Sequence, residues 1–233
     1  MGNLYIVATP IGNLQDITVR AIETLRFVDL IVSEDTRKTG ILLKELTKRY
    51  NFANKKNNLL SYYDQIEKKR IPEIIHALKQ GVNVALVSDA GTPTISDPGY
   101  KLVRECIAQG IKVISVPGPS SLISALVSSG LPTDKFTFLG FLPKKEGHRA
   151  SMFKKIKDTN NVIKTTFIIF VAPHDLIKSL VEMQNFFGNI EVVIARELTK
   201  IFEEIKKDKI STLVEFYSKK GVKGEIVMLF NLN

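Results

Sequence analysis

Four short loops hold most of the residues in this 233-residue chain that are suited to chemistry. They read Ala8-Thr9-Pro10-Ile11-Gly12, Ser33-Glu34-Asp35-Thr36-Arg37, Ser88-Asp89-Ala90-Gly91-Thr92-Pro93-Thr94-Ile95-Ser96-Asp97-Pro98-Gly99 and Pro117-Gly118-Pro119-Ser120-Ser121. Small, polar, turn-forming residues offer a ligand backbone N–H and C=O groups, and Gly91, Gly99 and Gly118 permit close approach or positive φ. None of the loops spells G-x-G-x-x-G or G-x-x-x-x-G-K-[ST], so dinucleotide and P-loop chemistry lose weight. Asp89 and Asp97 would suit a metal-dependent phosphohydrolase. Taken singly, each feature also has a local role: Asp97 as a helix N-cap, Thr36 as a cap, Asp35 and Arg37 as a surface ion pair. What favours a site is that four such loops occur, each directly after an apolar run.

Those apolar runs, at residues 4–8, 30–33, 82–87 and 113–116, read as strands, as do 136–140, 166–171, 191–195 and 225–230. Several are apolar on both faces, the pattern of a mainly parallel sheet covered by helices on both sides. Helical spacing and end signals predict helices over 36–48, 72–80 (opening on Pro72), 97–109 (N-capped by Asp97) and 173–187. The class is α/β. In such sheets ligands bind beyond the carboxyl ends of the strands, where the four loops must lie. The Pro117-Gly118-Pro119 turn divides the chain into expected lobes of residues 1–117 and 118–233.

Composition narrows the partners. The hydrophobic fraction is 44% and the charged fraction 24%, ordinary for a folded chain. The net charge of +9 favours a polyanion. It is shared as +4 in residues 1–117 and +5 in 118–233, but each half concentrates it. Residues 48–56 hold Lys48, Arg49, Lys55 and Lys56 with Tyr50 and Phe52 and no acid, and residues 144–164 hold seven bases against Glu146 and Asp158. A single cysteine, Cys106, and three scattered histidines leave no basis for a disulfide or a Cys/His metal site, and a reducing, cytoplasmic compartment is expected. The longest charge-free stretch, 113–133, carries three prolines and two glycines and does not read as a membrane span.

The strings LYIVATPIGNLQDITVRAIETL (4–25), VDLIVSEDTRKT (28–39), VALVSDAGTPTISDPGYKLV (84–103), VPGPSSLISALVSSGLPTDKF (116–136), GFLP (140–143) and ARELTK (195–200) resemble the tetrapyrrole-methylase superfamily. Within it they resemble the branch that methylates a cytidine 2′-hydroxyl of small-subunit (16S) ribosomal RNA. The resemblance implies a two-lobed fold, with a mainly parallel sheet in the first lobe and a mixed sheet in the second. It also implies S-adenosylmethionine in the cleft between them, and a homodimer. Cofactor contacts carry over to Pro10, Ala90, Gly91, Thr92, Ile95, Ser120 and Ser121, with Val171 and Leu198 from the second lobe. The chain departs from the family's usual residues at 63–66, at Leu139 and at 171–175. It also stops short of the helical tail many members carry.

For that reaction the 2′-hydroxyl proton needs an acceptor, and a carboxylate within hydrogen-bond reach is the obvious one. Asp35 is the first expectation, Asp89 the second and Glu197 the third. Arg37, Arg196 and Lys200 are expected to hold flanking phosphates, and Arg49, Lys55, Lys56, Lys144, Lys145 and Arg149 to grip the RNA or the assembled small subunit. The chemistry requires no metal.

Overall fold

The computed structural model describes residues 1–50 and 58–232, so the expected RNA contacts Lys55 and Lys56 lie outside the described residues. Backbone packing divides the chain into two compact units, Met1–Ser120 and Ser121–Asn233.

The first unit runs β1 (Leu4–Val7), α1 (Val19–Phe27), β2 (Leu30–Ser33), α2 (Thr36–Tyr50), β3 (Asn58–Ser61), α3 (Glu67–Lys79), β4 (Val84–Val87), α4 (Tyr100–Ala108) and β5 (Val113–Val116). The five strands form a wholly parallel sheet in the order β3-β2-β4-β1-β5. α1 shows how sequence sets one element. Thr18 caps it by accepting the Ala21 amide at 3.1 Å, and Ala21 and Leu25, four residues apart, bury one face. Ala21, Leu25, Leu43 and Leu46 place α1 and α2 on one side of the sheet; Ile74, Leu78, Leu102 and Cys106 place α3 and α4 on the other. Each fully buried leucine contributes about 1.5–3 kcal/mol of apolar transfer energy. Helices on both sides explain why β2 and β4 are apolar on both faces.

Two helix starts differ from expectation. α3 begins at Glu67, so Pro72 sits inside it rather than in its first turn. α4 begins at Tyr100 after Gly99, whose φ of +133° makes the turn, and Asp97 lies two residues before that cap. A β-carbon at Gly99 would lie 2.6 Å from Leu86 Cδ2, so only glycine fits there.

The second unit runs α5 (Ser121–Ser128), β6 (Phe136–Phe141), α6 (Glu146–Val162), β7 (Thr166–Val171), α7 (Leu176–Phe187), β8 (Glu191–Arg196), β9 (Glu204–Lys209), α8 (Ile210–Lys220) and β10 (Ile226–Phe230). Its sheet, ordered β6-β7-β10-β8-β9, is mixed: β6 and β7 are parallel and the other pairs antiparallel. Phe153, Leu180, Met183, Leu213 and Tyr217 from α6, α7 and α8 close over Phe167, Ile194, Met228 and Phe230 of the sheet. Among the described residues, no helix is long and apolar enough to cross a membrane.

Candidate active site

In the first unit the central strand β4 and its neighbour β1 send their connections in opposite directions and to opposite faces of the sheet. That is the topological switch point at which open α/β sheets bind ligands. The loops after β1, β4 and β5 are laced together there. Thr9 and Gly91 exchange both backbone hydrogen bonds, Thr9 N to Gly91 O at 2.9 Å and Gly91 N to Thr9 O at 3.0 Å. Thr9 Oγ1 donates to Ser88 O at 3.3 Å, and Thr92 Oγ1 donates to Pro119 O at 3.0 Å. Gly91 has φ +80°, and a β-carbon on it would meet Ile11 Cγ2 at 3.3 Å. Gly118 has no such φ but equally little room, since its β-carbon would lie 3.0 Å from the Ala8 β-carbon. Further along the β4 loop, Thr94 and Ser96 adopt left-handed φ of +74° and +63°, and Ile95 between them is exposed. A non-glycine pair in that region stores strain, and the strained stretch presents one apolar side chain outward.

Carboxylates crowd the same edge. Asp35 accepts Arg37 Nε at 3.0 Å, Arg37 Nη2 at 2.8 Å and the Arg37 backbone amide at 2.9 Å. Those bonds hold its carboxyl well below the usual carboxylate range. Asp89 accepts the Asp35 amide at 3.1 Å on Oδ1 and Lys38 Nζ at 2.6 Å on Oδ2. Glu34 behaves in the opposite way. Partial burial raises its pKa, the like charges of Asp89, Asp97 and Asp64 add to the rise, and Lys38 opposes it. The loops after β2 and β4 carry four acids, Glu34, Asp35, Asp89 and Asp97, against Arg37 and Lys38.

Glu67 joins the β4 loop to α3. It is 3% exposed and accepts Tyr62 Oη at 2.8 Å, the Gly99 amide at 3.2 Å and Lys101 Nζ at 2.6 Å. Burial alone would raise its pKa, but the three donors bring it below the ordinary value.

In the second unit, Val171 ends β7 and is buried, as is Leu198 just past β8. Glu197 and Thr199 take left-handed φ of +51° and +64°. Glu197 Oε1 accepts Lys200 Nζ at 2.9 Å and the Glu225 amide at 3.0 Å, which lowers its pKa. Its carboxyl occupies the space that a β-carbon on Gly224 would need. Arg196 donates to Glu204 Oε1 at 3.3 Å and Lys223 O at 3.1 Å.

The tetrapyrrole (corrin/porphyrin) methylase family matches residues 3–214 of this sequence. The chain belongs to that family. It is a methyltransferase. A relative from Thermotoga maritima, called ribosomal RNA small subunit methyltransferase I, is 48% identical over 231 residues and is matched over 99% of both chains. A relative of the same name from Rickettsia prowazekii is 46% identical, over 99% of this chain and 78% of its own. Among solved structures, a diphthine synthase superposes with a TM-score of 0.71 at 16% identity, covering 98% of this chain and 90% of its own. A cobalt precorrin-4 methyltransferase superposes with a TM-score of 0.69 at 18% identity, covering 97% and 93%. These two likenesses concern the fold alone.

Of the residues expected from sequence, the methylase gathers Pro10, Ala90, Gly91, Thr92 and Ser120 at one edge of its first sheet, with Asp35, Arg37 and Asp89 beside them. Ser121 opens α5. Arg49 is exposed at the end of α2, and Lys144 and Lys145 are exposed before α6. Arg149 is different: it is buried, paired with Glu182 at 2.5 and 2.6 Å, and donates to the Pro143 and Lys144 carbonyls. Its guanidinium is consumed in holding α6 to α7, so an RNA grip is not its role in this arrangement. Lys200 and Arg196 are likewise engaged within their own unit. Glu34, in the same cluster of acids, is not among the residues expected from sequence. It stands in the quoted loop beside Asp35, but the like charges around it come from residues 30 to 63 positions away.

Proposed function

We propose that this methylase transfers the methyl group of S-adenosylmethionine to the ribose 2′-oxygen of a cytidine in small-subunit (16S) ribosomal RNA. The observation that carries the reading is family membership across residues 3–214, together with relatives of that one name aligned over nearly the whole chain. The β1, β4 and β5 loops suit the cofactor. They offer backbone groups and close approach at Gly91 instead of a phosphate cradle, and the acid surplus beside them complements a sulfonium cation. Pro10, Ala90, Gly91, Thr92, Ile95 and Ser120 of the first unit are proposed to hold it.

Bound S-adenosylmethionine supplies an electrophilic methyl group for in-line displacement. The protein's part is to align the attacking oxygen and to take its proton. For that proton we assign Glu34 rather than Asp35, Asp89 or Glu197, the last being held charged by Lys200 and the Glu225 amide. A general base works best with a pKa near the working pH; Asp35 is held far below it by Arg37, and Asp89 is occupied by Lys38 and the Asp35 amide. Arg37, Arg49, Lys144 and Lys145 remain proposed phosphate contacts, and the place of action is the cytoplasm. A homodimer is the proposed assembly, supported by exposed Ile123, Val127, Phe136 and Phe141 on α5 and the edge strand β6. Isothermal titration with S-adenosylmethionine tests the cofactor half of the reading, and absence of binding sinks it.

A further inference from the structure

Outside the loops, the first unit carries an open groove of about 560 Å³ between α3 and α4. It is lined by the apolar Ile71, Pro72 and Ile75, by the polar His76 and Gln109, and by four cations, Lys68, Lys79, Lys101 and Arg104. Its acid, Glu105, is bound by Gln109 Nε2. Lys101 is paired with Glu67 at 2.6 Å. Among the described residues, no acid pairs with Lys68, Lys79 or Arg104. Lys68 and Lys79 lie eleven residues apart on α3, about 16 Å along the helix axis. Arg104 lies 5.9 Å from the ring centre of Tyr100, which is 65% exposed beside the groove.

We propose that the α3–α4 groove is a track for the phosphodiester backbone of single-stranded RNA. Unpaired cations on both helices, Lys68 and Lys79 on α3 and Arg104 on α4, beside apolar lining residues fit a flexible chain of phosphates with bases or riboses between them. The exposed Tyr100 ring offers a face for stacking. The position argues for RNA over an acidic peptide. The groove's head, at Lys68 and Lys101, adjoins Glu67, and Glu67 accepts the Gly99 amide that ends the β4 loop. A strand with one nucleotide at the loop edge has its neighbours beside the groove. This deepens the proposed function by naming where the RNA flanking the acceptor is held, and it rests on that reading for the RNA's identity.

The test is a triple variant, Lys68→Gln, Lys79→Gln and Arg104→Gln, all on exposed helix positions. Affinity for a fluorescent single-stranded fragment of 16S rRNA is measured by anisotropy across a salt series. Losing three phosphate contacts at a slope of about 0.7 each should weaken binding roughly 10- to 50-fold near 0.15 M salt and flatten the log–log slope by about 2. S-adenosylmethionine affinity should stay unchanged, and the variant Lys68→Arg, Lys79→Arg and Arg104→Lys should bind like wild type. Unchanged RNA affinity and slope in the glutamine variant overturns the track. If instead wild type leaves rRNA unmethylated while the glutamine variant still loses RNA affinity, the proposed reaction fails and the track stands.

Discussion

Arg37 grips Asp35 through both Nε and Nη2, at 3.0 and 2.8 Å, while its own amide donates to the same carboxylate. A carboxylate so stabilised in its charged form is a poor proton acceptor. One residue away, Glu34 is partly buried among Asp89, Asp97 and Asp64, with Lys38 as the opposing charge, and leans the other way. Two adjacent acids thus take different chemical characters from their surroundings.

Glu34→Gln should therefore lower single-turnover methyl transfer by about 10²–10⁴-fold, the usual contribution of a general base. Asp35→Asn should cost far less. The wild-type rate should climb as pH rises through the raised Glu34 pKa and then level off, and the variant should lack that limb. A group with a raised folded-state pKa lends stability only at low pH and loses it as pH rises through that value. Glu34→Gln should accordingly be at least as stable as wild type at neutral pH. Equal rates for Glu34→Gln and wild type remove Glu34 from the role.

Glu67→Ala should destabilise the first unit by about 2–4 kcal/mol, because it strands the buried Tyr62 hydroxyl, the Gly99 amide and one charge of an ion pair. The Glu67 pKa is lowered on folding, so its contribution is present above the ordinary carboxylate value and fades as pH falls through the lowered one. Urea titrations at pH 7 and in acid should show the wild-type advantage shrinking in acid. An unchanged midpoint at pH 7 contradicts this account of the joint.

Gly91→Ala forces an L-residue to φ +80° and presses a methyl towards Ile11. Strain of about 1–2 kcal/mol is expected, and calorimetry should find S-adenosylmethionine binding weaker by about tenfold. Full affinity would place the cofactor elsewhere.

Burial pushes the Cys106 thiol up to about 11. A thiol reagent at pH 8 should label the native protein very slowly and the urea-unfolded protein at once. Rapid native labelling contradicts the packing of α4 on the sheet.

Strands buried between helices declare themselves by unbroken apolar runs, so β1, β2, β4 and β5, and the loops at their ends, were legible. β3 and β9 were not. β3 is four residues at the sheet edge, and β9 reads Glu-Ile-Lys-Lys-Asp-Lys with alternating half-exposed and exposed positions, so burial wrote no hydrophobic signal there. Pro72 misleads because proline is the usual mark of a first turn, yet α3 already has five residues before it. At the site, the Asp35–Arg37 pair was visible as neighbours two apart. Glu34's character was hidden, since Asp64, Asp89 and Asp97 reach it only through the folded sheet.

The central claim is most directly tested by mapping ribose methylation on 16S rRNA from cells with and without this gene, and with the gene restored as wild type or Glu34→Gln. The account predicts that one cytidine loses its 2′-O-methyl group without the gene, regains it with wild type and stays largely unmodified with Glu34→Gln. An identical methylation map with and without the gene would contradict it.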